Sequence, residues 1–408
     1  MPPEKPDHIM RILWVKVGGL WPPNTGGRLR SLNILTELAR VHRVSVLTTH
    51  APGEDSGELA RNLPQCEQVR SYVHAVPKWH SPRFPGMLLR SWLSPMPVDV
   101  WKYRVPALKR EVERLLASGE VDLCIADFVF AAPNVPLAGP VPVVFFAHNV
   151  EHLILKRLAE AQQQPWRRAL LGIEWRKMRR YEARVCRLAS LTVAVSPQDR
   201  ELLSAGAPGA PIRDVPTGVD TDYFKPNGTP EEPVELVFTG SMDWHPNEDA
   251  IRHFIAEILP AIRREVPAVN LTVVGRNPSG ALREAAAQAG VRVTGTVEDV
   301  RPYIDAAAVY VVPLRIGGGT RLKVFEALAM GKAVVSTGVG VEGLPLASGE
   351  HYLRADDPAA FAFAVVALLR DPTRRRTLGL AGQRLTRERY GWSEVAREFG
   401  VCCEAARG

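Results

Sequence analysis

Short apolar runs alternate along this chain with longer stretches in which apolar residues recur every three or four positions. The short runs read as strands: Met10–Val17, His42–Thr48, Val121–Ala126, Val141–Ala147, Leu191–Ser196, Leu236–Thr239, Asn270–Val274, Val291–Thr294, Ala308–Pro313 and Ala333–Ser336. Several are apolar at nearly every position, as expected of parallel strands covered on both faces. The periodic stretches read as helices. Arg28–Arg40 carries Leu29, Leu32, Leu35 and Leu38 on one face, and Pro106–Ser118, Glu248–Arg264, Ala281–Ala289, Val300–Ala307, Ala359–Leu369, Arg374–Glu388 and Trp392–Glu404 follow the same rule. A further helical region, 151–188, is interrupted near Pro165. Residues 51–105 are rich in Pro, Trp and Arg, follow neither period, and read as irregular. Strand, loop and helix repeated in this order predict an α/β fold with doubly wound parallel sheets.

The chain has 408 residues, too many for one ordinary core, so two domains are expected. The linker-like run Lys225–Pro233 places the boundary near 228. That gives a first domain over 1–228, with 1–9 a loose extension, and a second over 229–388. The segment 389–408 is a last helix that can cross back to the first domain. The N-terminus lacks the charged start and apolar core of a signal peptide. The longest apolar run near the C-terminus, Ala359–Leu369, is too short for a bilayer span of ~20 residues. Five scattered cysteines, none in a CxxC, argue against a disulfide framework or a zinc site.

Candidate chemistry gathers at the ends of the strands. After Ala308–Pro313 come Gly317-Gly318-Gly319, then Thr320 as a helix cap, Arg321, Lys323 and Glu326, with Gly331 ending the helix. Glycines before a helix let backbone N–H groups approach an anion, and the helix dipole adds partial positive charge there. Arg321 and Lys323 add full charges, and Glu326 can accept two hydrogen bonds from a ribose diol. A nucleoside diphosphate fits this stretch. A plain tight turn with a solvated basic first turn is the simpler alternative. Gly26 and Gly27 open another helix and form a second, weaker anion seat. His148 follows the strand Val141–Ala147, where open α/β sheets bind ligands. The loops Gly240–Asn247, with Gly240, Ser241 and Asp243, and Gly275–Asn277, with Arg276, end two more strands.

The net charge is +7, and 151–190 alone holds ten Lys and Arg against four Glu. With Trp166 and Trp175 this basic region suits an anionic membrane surface, as do the Trp- and Arg-rich residues 78–102. A solvated basic helix is the plainer alternative. No nucleic-acid motif accompanies the charge.

Taken together, the glycine stretch with Glu326, the run Thr217-Gly218-Val219-Asp220 with Phe224, the loop Gly240–Asn247 and the tail Tyr390-Gly391-Trp392 resemble glycosyltransferases of the GT-B fold, close to the retaining family 4. The run Phe238–Asn247 resembles the sugar transferases that accompany exosortase (PEP-CTERM) exopolysaccharide systems. The resemblance covers nearly the whole chain. It implies two Rossmann-like domains facing a cleft, a nucleotide-diphosphate sugar held by the second domain and an acceptor by the first. It places Glu326 on the donor ribose, and Gly318, Gly319 and Thr320 against the donor. His148 comes near the transferred sugar, Gly26 and Gly27 near the phosphates or acceptor, and Gly295 and Val297 near the base. It implies a hexosyltransferase acting with retention, without metal or other cofactor, on a saccharide or lipid-linked saccharide in exopolysaccharide or cell-surface glycan synthesis, in the cytoplasm or peripherally at the inner membrane face. The family's two glutamates have seven residues between them, but Gly318, eight positions before Glu326, stands at the first position. The cation pair that many relatives carry after the first strand of the second domain is missing, so Arg321, Lys323 or Arg276 must supply the charge. Asp127 and Asp243 are alternative bases. A non-catalytic nucleotide-sugar or glycan-binding module and a nucleotide-sugar 2-epimerase are the other readings this architecture allows.

Overall fold

A computed structural model describes residues 9–23, 25–77, 81, 84–162, 164–316 and 321–408. It divides into two units, Met1–Pro216 with Val395–Gly408, and Thr217–Glu394. In the first, the apolar runs become a seven-stranded sheet: β1 (Arg11–Lys16), β2 (Arg43–His50), β3 (Gln68–Val73), β4 (Leu123–Asp127), β5 (Val143–Phe146), β6 (Leu191–Ala194) and β7 (Ile212–Asp214). Every pairing is parallel and the order is β3-β2-β1-β4-β5-β6-β7. The central strands β4 and β5 are buried at every position, because helices cover both faces. Those helices are α1 (Gly26–Leu38), α2 (Glu58–Asn62), α3 (Phe84–Trp92), α4 (Val98–Trp101), α5 (Pro106–Ala117), α6 (Glu151–Glu160), α7 (Pro165–Leu188) and α8 (Pro197–Gly206).

The second unit has the parallel order β10-β9-β8-β11-β12-β13. Its strands are β8 (Glu232–Thr239), β9 (Asn270–Val274), β10 (Arg292–Val293), β11 (Ala307–Val312), β12 (Ala333–Ser336) and β13 (Leu353–Arg354). Its helices are α9 (His245–His253), α10 (Leu259–Glu265), α11 (Gly280–Gln288), α12 (Arg301–Ala306), α13 (Leu322–Ala329), α14 (Pro358–Arg370) and α15 (Pro372–Arg389). The long helix expected over Glu248–Arg264 is α9 and α10 joined through a π turn at Phe254–Ile258. The last helix, α16 (Trp392–Arg407), begins in the second unit and continues into the first, where Phe399 packs on Trp14 and Phe146.

Three features differ from the sequence reading. Residues 51–105 are not irregular throughout: they hold β3 and three short helices. The strands that the pattern missed, β3, β7 and β13, all lie at sheet edges, where one side of the strand faces solvent and the apolar signal fades. The two units divide at Pro216, upstream of 228. Asp305 of α12 accepts hydrogen bonds from the backbone N–H groups of Asn227, Gly228 and Thr229, which ties this polar run to the second unit.

Candidate functional site

In the second unit the ends of β8 and β9 meet the start of α13. A side chain at Gly275 would run into the Gly240 carbonyl, so two loop backbones lie against each other where only glycine fits. The Lys323 ammonium, reaching across from α13, is fixed there. It donates to Asn247 Oδ1 at 2.7 Å and lies 4.1 Å from the Phe238 ring centroid. A Cβ on Gly240 would come within 2.6 Å of the Lys323 Nζ. Asn247 in turn donates to the Ser241 carbonyl at 2.8 Å. On the neighbouring loop Arg276 donates to Ser241 Oγ at 2.7 Å and lies 3.8 Å from the Asp243 carboxylate. Asp243 also accepts from Asn277, a residue in the left-handed region at φ +54°. These bonds to Ser241 and Asn277 hold the Asp243 carboxyl below its usual range, which weakens it as a base.

Lys323 and Glu326 stand three residues apart on α13 and titrate together. Burial pulls Lys323 down to about 7, against the attraction of Glu326. Burial pushes Glu326 up to about 7, against the attraction of Lys323. Arg321 is placed otherwise. The helix begins at Leu322, so Arg321 occupies the cap position and turns inward. It is 2% exposed, donates from Nε to the Val339 carbonyl at 3.0 Å, and lies 3.8 Å from Glu342. Of the two cations expected at this end, Lys323 is placed at the end of β8 and Arg321 at the Val339 carbonyl. Gly318, Gly319 and Thr320 lie outside the described residues. Gly295, at φ +73°, and Val297 follow β10, and Val297, partly buried, packs against the core of the second unit.

The first unit holds a second cluster at the ends of β1, β4 and β5. Thr25 caps α1, which opens with Gly26 and Gly27. His148 leaves β5 buried between the Phe128 and Phe146 rings, at 4.9 and 4.4 Å. Its Nε2 lies 2.7 Å from Asp127 Oδ1, and its Nδ1 lies on the side of Gly27, where an added Cβ would meet it at 3.7 Å. Asp127 also accepts from Lys16 Nζ at 3.0 Å and from the Trp14 indole at 2.9 Å. Lys16 donates to Ser31 Oγ as well, and Ser31 donates to the Gly27 carbonyl. Arg30 stacks on Phe146 and donates to the carbonyls of Ala147, Ala194 and Val215, pinning three strand ends together. Phe128 sits at φ +82°, a strained conformation for a bulky residue, kept where its ring covers His148.

Charges here are paired and buried. Burial alone would raise the Asp127 carboxyl, but Lys16, His148 and Ser31 hold it well below the carboxylate range. Burial lowers His148 to about 4; Asp127 opposes this, and Lys16 and Arg30 add to it. Asp127 is therefore an engaged counter-ion with no exposure, not a base open to substrate. The sequence pattern brought Gly27 and His148 forward but missed Lys16, Ser31, Asn247 and Asn277 as site residues. Lys16 was legible only as a polar residue near the end of an apolar strand, and the asparagines only as loop residues. Among the described residues no group of His, Cys, Asp and Glu is arranged to hold a metal ion.

Two α/β units, each with a parallel sheet and ligand-type residues at strand ends, define the GT-B class of glycosyltransferases. The family description "Glycosyltransferase Family 4" matches residues 26–223, and "Glycosyl transferases group 1" matches 233–371. The chain belongs to these glycosyltransferases. It is 26% identical over 326 residues to phosphatidyl-myo-inositol mannosyltransferase of Mycobacterium tuberculosis, covering 74% of this chain and 79% of that one. Its fold matches sucrose-phosphate synthase from Thermosynechococcus elongatus at TM-score 0.67 and 17% identity, over 96% of this chain and 98% of the other. It also matches Anabaena HepE in complex with UDP and glucose at TM-score 0.65 and 13% identity, over 97% of this chain and 100% of the other.

Proposed function

We propose that this glycosyltransferase moves a hexose from a nucleoside-diphosphate sugar to a saccharide or lipid-linked saccharide, with retention and without a metal. The observation that carries the reading is the Lys323 ammonium fixed against Gly240, with Glu326 one turn further along α13. A diphosphate at the paired glycines would meet Lys323 and Arg276, while the Glu326 carboxylate takes the ribose diol. The bond from the anomeric carbon to the β-phosphate oxygen breaks, and negative charge grows on that phosphate. Lys323 and the helix start stabilise it there, in place of a metal ion. The acceptor oxygen bonds to the same carbon on the same face, and its proton passes to the departing phosphate. His148 holds a hydroxyl of the transferred sugar. Gly295 and Val297 lie near the base, and Gly26 and Gly27 near the phosphates or acceptor.

The acceptor assignment leans on the mycobacterial relative, whose name gives it a lipid, phosphatidyl-myo-inositol, as partner. A surface of the first unit supports a membrane position at the inner face. Leu89, Trp92 and Leu93 at the end of α3 are exposed, as are Ile154 and Leu158 on α6. On α7, Trp166 is exposed with Arg167 stacked on it at 5.1 Å. No described helix is long and apolar enough to cross a membrane. Exopolysaccharide or cell-surface glycan synthesis is the process such a transferase would serve.

Calorimetric titration with UDP, GDP and their hexose conjugates tests the donor, followed by mass spectrometry of the product formed on a lipid-linked saccharide. Binding of a nucleoside diphosphate that Lys323→Ala strongly weakens is the expected result. A chain that binds no nucleoside diphosphate would sink the reading.

A further inference from the structure

An imidazole can meet a sugar hydroxyl as a donor or as an acceptor, and three buried residues fix the choice for His148. Its Nε2 lies 2.7 Å from Asp127 Oδ1, and an ionised carboxylate can only accept, so the ring hydrogen is on Nε2. The other nitrogen, on the Gly27 side, is left with a lone pair. Asp127 carries one negative charge and has two basic neighbours on the same oxygen, Lys16 at 3.0 Å and His148. Lysine is intrinsically more basic than histidine by about four pH units, so the proton stays on Lys16. A second positive charge on the ring would be unbalanced in a cluster that also holds Arg30.

We propose that Lys16 is a fixed counter-charge that keeps His148 neutral with its hydrogen on Nε2, so that Nδ1 only accepts and selects a ligand hydroxyl that donates. The selection of a sugar hydroxyl rests on the position given to His148 under the proposed function; the protonation state itself does not. Lys16 touches no substrate in this scheme and is a positioning residue. Without the Lys16 charge, Asp127 would draw its counter-charge from the ring against the cost of burial, since an opposite charge at hydrogen-bond distance favours the charged imidazole. It would then carry a hydrogen on both nitrogens and present a donor where the site needs an acceptor.

Burial is the largest influence on the ring, and the charged groups that face it are Asp127 from β4, Lys16 from β1 and Arg30 from α1. The test is nitrogen-15 NMR of the imidazoles in the full chain from about pH 5 to 8, with His148 assigned by the signal lost in His148→Gln. The expected native ring is protonated at Nε2 only and does not titrate across that range. In Lys16→Met the ring titrates inside the range and is doubly protonated at the acid end, whereas Lys16→Arg keeps the native behaviour. If the methionine variant does not fold, Lys16→Gln takes its place. In transfer assays, turnover of the Met variant relative to the native chain falls by about tenfold per pH unit below its new midpoint and recovers above it. Simple loss of packing would lower it equally at every pH. A native ring that titrates near 6.5, a hydrogen on Nδ1, or an uncharged variant whose ring matches the native one overturns the proposal. The NMR arm needs no donor, so a chain that binds no nucleotide would defeat the transferase reading while leaving this result to stand or fall alone.

Discussion

The two units place glycines, a helix start and a cation at the ends of parallel strands, yet they treat charge in opposite ways. At the first, Lys16, Asp127 and His148 are buried and satisfy one another. At the second, Arg276 and Asp243 are about half exposed, Lys323 is held by a neutral asparagine, and among the described residues no carboxylate lies at salt-bridge distance from it. A closed ion pair presents a neutral, directional surface to a ligand. A cation bonded only to an amide keeps its charge available for an incoming anion. The same βα turn can thus be a hydroxyl reader or a phosphate seat, depending on whether its counter-charge comes from the protein or from the ligand.

The largest effect should come from the open end. Lys323→Ala is expected to lower kcat/KM by on the order of 10²–10³, while Arg321→Ala should leave donor affinity nearly intact. Steady-state kinetics and donor titrations on both variants check this, and equal losses would erase the distinction between the two cations. A Gly275→Ala change comes next. Its Cβ would strike the Gly240 carbonyl, so the two loops must part. A clear fall in melting temperature together with weakened diphosphate binding is expected, and scanning calorimetry with titration reads both.

The pH dependence sharpens the contrast further. Lys323 binds a diphosphate best when charged, so affinity falls as pH rises through about 7. Glu326 accepts from the ribose when ionised, so affinity grows as pH rises through about 7. The native profile should be a narrow bell centred near neutrality. Glu326→Gln should keep only the falling limb, and Lys323→Ala only the rising one. A flat native profile would remove the coupling of the two groups. The first unit should add no acid limb of its own, because His148 stays neutral down to about 4.

Smaller effects lie away from both sites. Arg321→Ala should cost about 2 kcal/mol of stability through its charged hydrogen bond to Val339, measured by denaturant unfolding. Replacing exposed Leu93, 84% accessible, and Trp166 by polar residues should weaken sedimentation with anionic vesicles and spare turnover on a soluble acceptor. Sedimentation equal to the native chain would remove the first unit's apolar surface from the membrane reading.

Much of the architecture could be read from the chain. Central strands such as β5 and β11 are apolar at every position, and glycine turns mark their ends, so the parallel sheets follow from local pattern alone. The edge strands β3, β7 and β13 escaped because their exposed sides mix polar with apolar residues. Gly27 and His148 were visible as strand-end and helix-start residues, and the structure brings them within reach of each other. Neither Arg321 nor Lys323 could be preferred by sequence: both are cations at one helix start.

The sequence by itself determined the periodicities, the order of strand and helix, and which residues fall at strand ends, because these depend on neighbours a few positions away. Only the tertiary structure decided what each end does with its charge. It turned Arg321 under Val339 and sent Lys323 to Gly240, because α13 begins at Leu322 and places the two on different sides. It joined Lys16 to Asp127 across 111 positions and Asp127 to His148 across 21. Burial and pairing set those protonation states, and both depend on groups brought together from distant segments.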